Sequence, residues 1–292
     1  MKQRRKSNLM QQLVFMGPAV IVFSVVVMIP FVMGIGYSLT DWNGVSTNLS
    51  WVGFQNYVKL FLDSSFRKSI IFTTKYTVVV VLLANVIGFG LAYFLTQKLF
   101  ARNFMRTVFF MPNVLGGILI GFIWKFIFVK GFAAIGQMTG MSFFNLSWLG
   151  TPNTAFWALV IVTIWQSAGY LMVIYIAGLT TVPNDLMDAA RIDGASEWQI
   201  LRKITLPMIR PTITICMFYM ISHAYKVYEL NRSLTEGGPF RSTESVTMNI
   251  FNEAFTNNRY GLGSAKAVVL FIIIAVVTII QQHVTKDKDV QV

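Results

Sequence analysis

Thr163, Gln166, Ser167 and Tyr170 stand within eight residues of one another in a stretch that is otherwise hydrocarbon. On a helix those positions share one face. Hydroxyls, an amide and a phenol in that arrangement offer hydrogen bonds and an aromatic surface, without a strong nucleophile or a metal ligand set. Two further apolar stretches contribute in the same way, one with Asn113, Gly117 and Trp124, the other with Tyr219, His223, Lys226 and Glu229. A polar side chain within a lipid-crossing segment is costly unless it faces the bundle interior or a wet cavity, so these residues are candidates to line a solute path. Helix–helix glue is the competing role, and each residue taken singly fits glue first. Lys226 and Glu229, at i and i+3, read as an ion pair near a span end.

Other chemistries are poorly supplied. Cys216 is the only cysteine and lies in an apolar run, where a thiol is inert packing. His223 and His283 are far apart and make no metal site. The phosphate-cradling pattern G-x-x-x-x-G-K-[ST] is missing, so this chain is expected to bind no ATP and to be no enzyme. The net charge of +12 sits in loops between apolar stretches, which argues against nucleic acid as a partner and for a membrane surface.

The elements that position the candidate residues follow from composition. The chain has 292 residues, 55% hydrophobic and 12% charged, against about 25% charged in soluble domains. Several uncharged runs have the length of a bilayer crossing. Long continuous runs require helices, because lipid offers backbone amides no partner, and they lack the short alternation of a membrane barrel. The expected fold is an all-α integral membrane protein. Six spans are expected, at about 13–39, 70–96, 107–128, 155–179, 211–228 and 265–283, making a membrane-spanning domain over 13–285. A basic tail, 1–12, precedes it and a short tail, 286–292, follows. The first run is too long for a signal peptide and reads as an uncleaved span. Lys and Arg concentrate in the two tails, in 97–106 and in 183–210, so both termini are expected on the cytoplasmic side.

The segment 183–210 is a charge-dense island between spans four and five, and its core reads DAARIDGASEWQILRKITLP from Asp188 to Pro207. Pro183 suits a helix start, and Asp185 and Asp188 complement the dipole of its first turns. Gly194 can end that helix in a left-handed conformation. Ser196 and Gln199 have capping-box spacing for a second helix, on which Trp198, Leu201 and Thr205 are expected to share a face. The outcome is a helix–turn–helix knuckle, rigid enough to transmit a push.

This island resembles the cytoplasmic EAA loop of permease subunits of binding-protein-dependent ABC importers. Asp188-Ala189-Ala190 stands for the EAA, with Asp193, Gly194 and Ala195 for the turn, Ile204 for the isoleucine and Leu206-Pro207 for the LP. Asp188 replaces the family's first glutamate, which keeps the carboxylate and shortens its reach. The remainder is most similar to sugar permeases of the maltose, multiple-sugar and glycerol-phosphate type. Trp51-Val52-Gly53-Phe54-Gln55-Asn56-Tyr57, Phe110-Met111-Pro112 and Leu234-Thr235-Glu236-Gly237-Gly238-Pro239 carry that likeness, with Tyr260-Gly261 beyond them.

The resemblance implies a permease subunit that carries a sugar, oligosaccharide or related polyol across a prokaryotic inner or plasma membrane. Its implied partners are a homologous second permease in a heterodimer, two ATPase subunits holding ATP and Mg²⁺, and an extracellular solute-binding protein. By the same resemblance the solute-facing positions are Asn113, Gly117, Thr163, Gln166, Ser167, Met220, Ala224 and Val227; Tyr170 and His223 join them as residues on candidate faces. Two other readings stay open: an importer for another solute class, such as amino acids, phosphate or metal ions, and a secondary transporter driven by an ion gradient. A secondary transporter wants a mid-membrane carboxylate, for which Glu229, at a span end, is the sole candidate.

Overall fold

The structure is a computed structural model that describes residues 15–97 and 100–285. The tails expected at 1–12 and 286–292 lie outside the described residues, as does Lys98. Among the described residues the repeating elements are helices, and the β structure is one isolated antiparallel bridge, Thr40–Trp51. In chain order the helices are α1 (Phe15–Ser38), α2 (Gln55–Leu62), α3 (Ser64–Thr96), α4 (Arg102–Phe110), α5 (Gly117–Thr139) and α6 (Pro152–Leu179). There follow α7 (Asn184–Ile192), α8 (Glu197–Met208), α9 (Arg210–Tyr225), α10 (Glu229–Leu234), α11 (Val246–Phe251) and α12 (Tyr260–Thr285). Among the described residues five helices, α1, α3, α5, α6 and α12, are long and apolar enough to cross a membrane. A sixth crossing exists if α8 and α9, bent by 70° at their junction, count as one.

Two stretches differ from the sequence expectation in ways that shape the site. The run 107–128, expected as one span, is broken. α4 ends in a 3-10 turn, Met111–Val114, the chain extends through Leu115 and Gly116, and α5 then continues to Thr139, where Gly140 closes it at φ +69°. Pro112 supplies no amide for a continuing α-ladder, and the Gly116-Gly117 pair lowers the barrier to an extended backbone. The run 211–228 stops at Tyr225; Lys226 caps it outside helical geometry, and a separate short helix, α10, begins at Glu229.

The chain divides into two compact units. One comprises Met1–Asp63 with Ile250–Phe271. In it Asn56, almost fully buried, donates from Nδ2 to the carbonyls of Ser38 and Thr40 at 2.9 and 2.7 Å, which satisfies the free carbonyls at the end of α1. That is the physical content of the Trp51–Tyr57 motif, and Tyr57 completes it with a 2.7 Å hydroxyl pair to Ser38. Beside it Tyr37 stacks on Trp42 with ring centroids 4.4 Å apart, and Tyr260 meets Trp42 edge-on at 4.9 Å. Lys266, fully buried, donates to Asp63 and Glu253 at 2.7 and 2.6 Å. A buried cation needs such partners, and removing one leaves an uncompensated charge.

The other unit comprises Ser64–Asn249 with Ile272–Val292. Its core is the packing of α3 on α6 and of α9 on α3. Tyr76, Val80, Ala84, Ala92 and Leu95 meet Ala155, Leu159, Val162, Leu171 and Met172, with Cys216, Met220 and Ala224 contributed by α9. Small residues on these faces bring helices close, as lipid-embedded packing requires. Inter-helix hydrogen bonds pin the register: Tyr175 donates to Asn85 Oδ1 at 2.7 Å, and the hydroxyls of Tyr76 and Thr163 pair at 2.5 Å.

Candidate functional site

A cavity of about 520 Å³ opens where α6, the start of α5 and the α9–α10 junction meet. Gly117, Thr163, Gln166, His223 and Val227 line it, together with Tyr219, Ser222, Lys226, Tyr228, Glu229 and Leu230. The two breaks make this cavity. The interruption before Gly117 places the first turn of α5 against α10, and the stop at Tyr225 turns Lys226 and Glu229 toward the same space. A Cβ at Gly117 would lie 3.0 Å from Glu229 Cβ and Oε2. At Gly121 a Cβ would overlap Ser233 Oγ, so α10 can seat on α5 only because those positions lack side chains.

The candidate path residues divide between the cavity wall and the packing behind it. Gln166 lines the cavity and donates from Nε2 to the Leu115 carbonyl at 3.2 Å, a group freed by the break in the helix. Thr163 is at the wall but its hydroxyl is engaged by Tyr76. Tyr170 packs against Tyr219 in a tilted pair at 4.5 Å, and Tyr219 stacks on His223 at 5.8 Å, so three rings form a continuous aromatic surface of which Tyr219 and His223 reach the cavity. Ser167 is buried between helices, and Met220 and Ala224 are fully buried in the core face of α9. Asn113 sits half-buried in the 3-10 turn, outside the lining.

The ion pair expected between Lys226 and Glu229 does not form among the described residues. An i,i+3 pair needs an unbroken helix, and the chain leaves helical geometry at Lys226 before restarting at Glu229. Both charges face the cavity instead. Ser222, Tyr228 and Leu230 also line it and were not singled out from the sequence. Ser222 lies one turn from Tyr219 on α9, where helical spacing could have found it; Tyr228 and Leu230 lie beyond the stop of α9, where periodicity on one helix cannot find residues that a turn brings inward.

The island forms the knuckle that its spacing suggests. α7 begins after Pro183 and ends in a reverse turn: Gly194 N–H donates to the Arg191 carbonyl at 3.1 Å and Ala195 N–H to the Ala190 carbonyl at 2.9 Å, with Gly194 at φ +81°. This is the double hydrogen bond of a glycine-closed helix end. Ser196 then caps α8, its hydroxyl accepting from Gln199 N–H while Gln199 Oε1 accepts from Ser196 N–H. Arg191 ties the two helices, donating to Asp188 at 2.8 Å and to Glu197 at 2.9 Å. The hydrogen bonds from Arg191 hold the Glu197 carboxyl below the usual carboxylate range and raise Arg191 itself.

A depression of about 390 Å³ on the knuckle is lined by Ala190, Asp193, Gly194, Ala195 and Ile204. Asp188 and Ala189 are exposed on α7 beside it, and Leu206 and Pro207 lie further along at the bend toward α9. The expected common face of Trp198, Leu201 and Thr205 does not exist. A π-turn, Leu201–Thr205, inserts an extra residue in α8, so Ile200, Thr205 and Ile209 point to the core while Trp198 is 65% exposed. Such turns reset the face of a helix and are frequent at functional sites.

Residues 84–290 match the family described as the binding-protein-dependent transport system inner membrane component. The probable starch degradation products transport system permease protein AmyD of Thermoanaerobacterium thermosulfurigenes is 45% identical over 277 residues, which cover 95% of this chain and 94% of that protein. The multiple sugar-binding transport system permease protein MsmF of Streptococcus mutans is 34% identical over 261 residues, covering 89% and 90%. In structure the chain resembles a bacterial ABC transporter involved in the import of alginate, with a TM-score of 0.81 at 19% identity over 97% of this chain and 98% of that one, a likeness of fold.

Proposed function

The chain belongs to the family of inner membrane components of binding-protein-dependent transport systems, and from that premise we propose that it forms the translocation path for a neutral oligosaccharide, sugar or related polyol. It is a multi-pass membrane permease and not an enzyme. The observation that carries the substrate class is the cavity at the α9–α10 junction. Lys226 and Glu229 face it together, so its fixed charges offset, and the rest of the wall presents an amide, hydroxyls and the Tyr219 ring. Hydroxyl-rich, uncharged rings match such a wall, because each buried polar group then finds a partner. The likeness to permeases named for starch degradation products and multiple sugars supports the same class.

The partners follow the family. A homologous permease completes the pore as a heterodimer, an extracellular binding protein delivers solute, and two ATPase subunits carry ATP and Mg²⁺. The knuckle at 183–210 is the ATPase dock, with Asp188, Ala189, Ala190, Asp193, Gly194, Ala195, Ile204, Leu206 and Pro207 as its contact and hinge residues. In this reading both termini lie in the cytoplasm and the permease region extends over 13–285, with α1, α3, α5, α6, the bent α8–α9 pair and α12 as its crossings. The rigid turn at Gly194 and the bend between α8 and α9 supply a lever from ATPase to cavity.

The test is uptake by the purified complex in proteoliposomes. ATP-dependent entry of labelled maltooligosaccharides, or of another neutral saccharide from a panel, is the expected result. Entry only of amino acids, phosphate or metal ions would overturn the substrate class, and saccharide entry driven by an ion gradient without ATP would overturn the mechanism.

A further inference from the structure

A second cavity, about 740 Å³, lies at the opposite end of α3 from the knuckle-side terminus, between the first turns of α3, the start of α6 and the segment 240–244. Its chemistry is unlike that of the solute path. Lys68 and Lys75, seven residues apart and therefore two turns apart on one face of α3, both line it. Arg241 lines it as well, but Glu244 takes its guanidinium at 2.7 Å. Neither lysine has a carboxylate partner among the described residues; Lys75 Nζ instead rests 4.8 Å from the centre of the Phe156 ring. Ser242 Oγ, also in the lining, is buried without a hydrogen-bond partner among the described residues.

The surroundings restrict what can reach these groups. Lys75 is the twelfth residue of a helix that qualifies as a membrane crossing and lies five residues inside the span expected at 70–96, about 7.5 Å along the axis from its edge. Ile71 and Val78, one turn to either side, are 62% and 53% exposed. Exposed aliphatic side chains around an exposed lysine are what a helix presents to lipid, with the ammonium reaching for the headgroup layer. On the α3 and α6 side the lining is Ile71, Phe72 and Phe156, an apolar wall that suits an anion carried on an acyl chain.

We propose that Lys68, Lys75 and Ser242 form a site for an anionic phospholipid, with the phosphodiester held between the ammonium groups and the chain lying along Ile71, Phe72 and Phe156. The two unpaired cations give the cavity a net positive charge that a zwitterionic headgroup neutralises poorly. The orphan hydroxyl supplies a donor to a phosphate or glycerol oxygen. The site is separate from the solute cavity and does not depend on which solute is carried.

The experiment uses the assembled complex in bilayers of phosphatidylethanolamine containing a trace of phosphatidylglycerol with a photoactivatable acyl chain. Crosslinks should map to Ile71–Lys75 and to the turn around Phe156. Labelling should fall about fivefold for each of Lys68→Gln and Lys75→Gln, the effect of one basic group near a membrane surface. The double Lys→Arg variant should retain it. An acyl-matched phosphatidylcholine probe should label weakly and be indifferent to the substitutions. Equal labelling by the two probes would overturn the proposal, as would labelling unchanged in Lys68→Gln, whose exposed side chain lies on the outer turns and whose loss leaves the fold intact. Complete competition by soluble glycerol phosphate would show a free-anion site and overturn the lipid assignment.

Discussion

Gln166 Nε2 donates to the carbonyl oxygen of Leu115 at 3.2 Å. Leu115 lies in the two-residue gap between the 3-10 turn and α5, where no helical amide is available to its carbonyl. One side chain therefore does two things. It satisfies a backbone group that the broken helix leaves open, and it forms part of the wall of the cavity. The alternatives posed by the sequence, solute contact or helix glue, are not exclusive at this position.

That double role sets the outcome of Gln166→Leu. The Leu115 carbonyl loses its donor, at a cost of about 1–3 kcal/mol, so the complex should melt earlier in detergent. Uptake normalised to assembled complex should also fall, since the wall loses its amide. Basal ATP hydrolysis should persist, because the change is remote from the knuckle. Normalised uptake equal to that of the unsubstituted protein would remove Gln166 from the solute path and leave it as a clamp.

The orientation of the chain is open to a labelling test. Lys203 is exposed on the knuckle and Asn258 is exposed between α11 and α12. Cysteines placed at these positions, in a background with the buried Cys216 left in place, should react with impermeant thiol reagents from opposite sides of the membrane. Lys203→Cys should react only from the cytoplasm. Reaction of both from one side would invalidate the span count between them.

Much of this was legible in the sequence, and the exceptions share one cause. The apolar runs gave the helices because lipid leaves the backbone no other solution. The turn at Gly194 and the Ser196–Gln199 box were readable because capping is local chemistry with fixed spacing. Periodicity failed where the helix is interrupted. The run through Pro112 looked like one span, yet it is a turn, a gap and a new helix. Lys226 and Glu229 looked like an i,i+3 pair, and the stop at Tyr225 sent both into the cavity. The π-turn in α8 likewise moved Trp198 off the face it was expected to share with Thr205. Each is a departure from 3.6 residues per turn, which a periodic reading does not register.

The clasp across the knuckle carries a pH dependence. Arg191 lowers the folded-state value of Glu197 relative to the free carboxylate. A group so depressed stabilises the fold above its ordinary range and loses that contribution as pH falls through the depressed value. Amide exchange at Gly194 and Ala195 should therefore be protected at neutral pH and should speed up only in the acid range, after correction for the intrinsic rate. Glu197→Gln should show the faster exchange already at neutral pH. The pair is exposed, so the effect should be modest and should shrink with added salt. Exchange unaffected by Glu197→Gln would mean that the backbone turn alone holds the knuckle.

The turn itself is best tested at Gly194, because there the geometry separates strain from contact. Its φ is +81°, a region that β-branched side chains avoid, yet a Cβ built at this position meets nothing within 4 Å. The Cβ of Gly194→Val therefore meets open space, and the backbone strain costs about 1–2 kcal/mol. Gly194→Asn adds comparable bulk but tolerates the left-handed region. If the turn is what matters, Asn should retain most transport and ATPase association while Val loses both, with equal amounts of each variant inserted in the membrane. If instead the docked ATPase needs the empty space in front of Gly194, Asn and Val should fail together. Normal transport by Gly194→Val would mean that neither the turn nor the space is required, and the knuckle would cease to be the lever between ATP and the cavity.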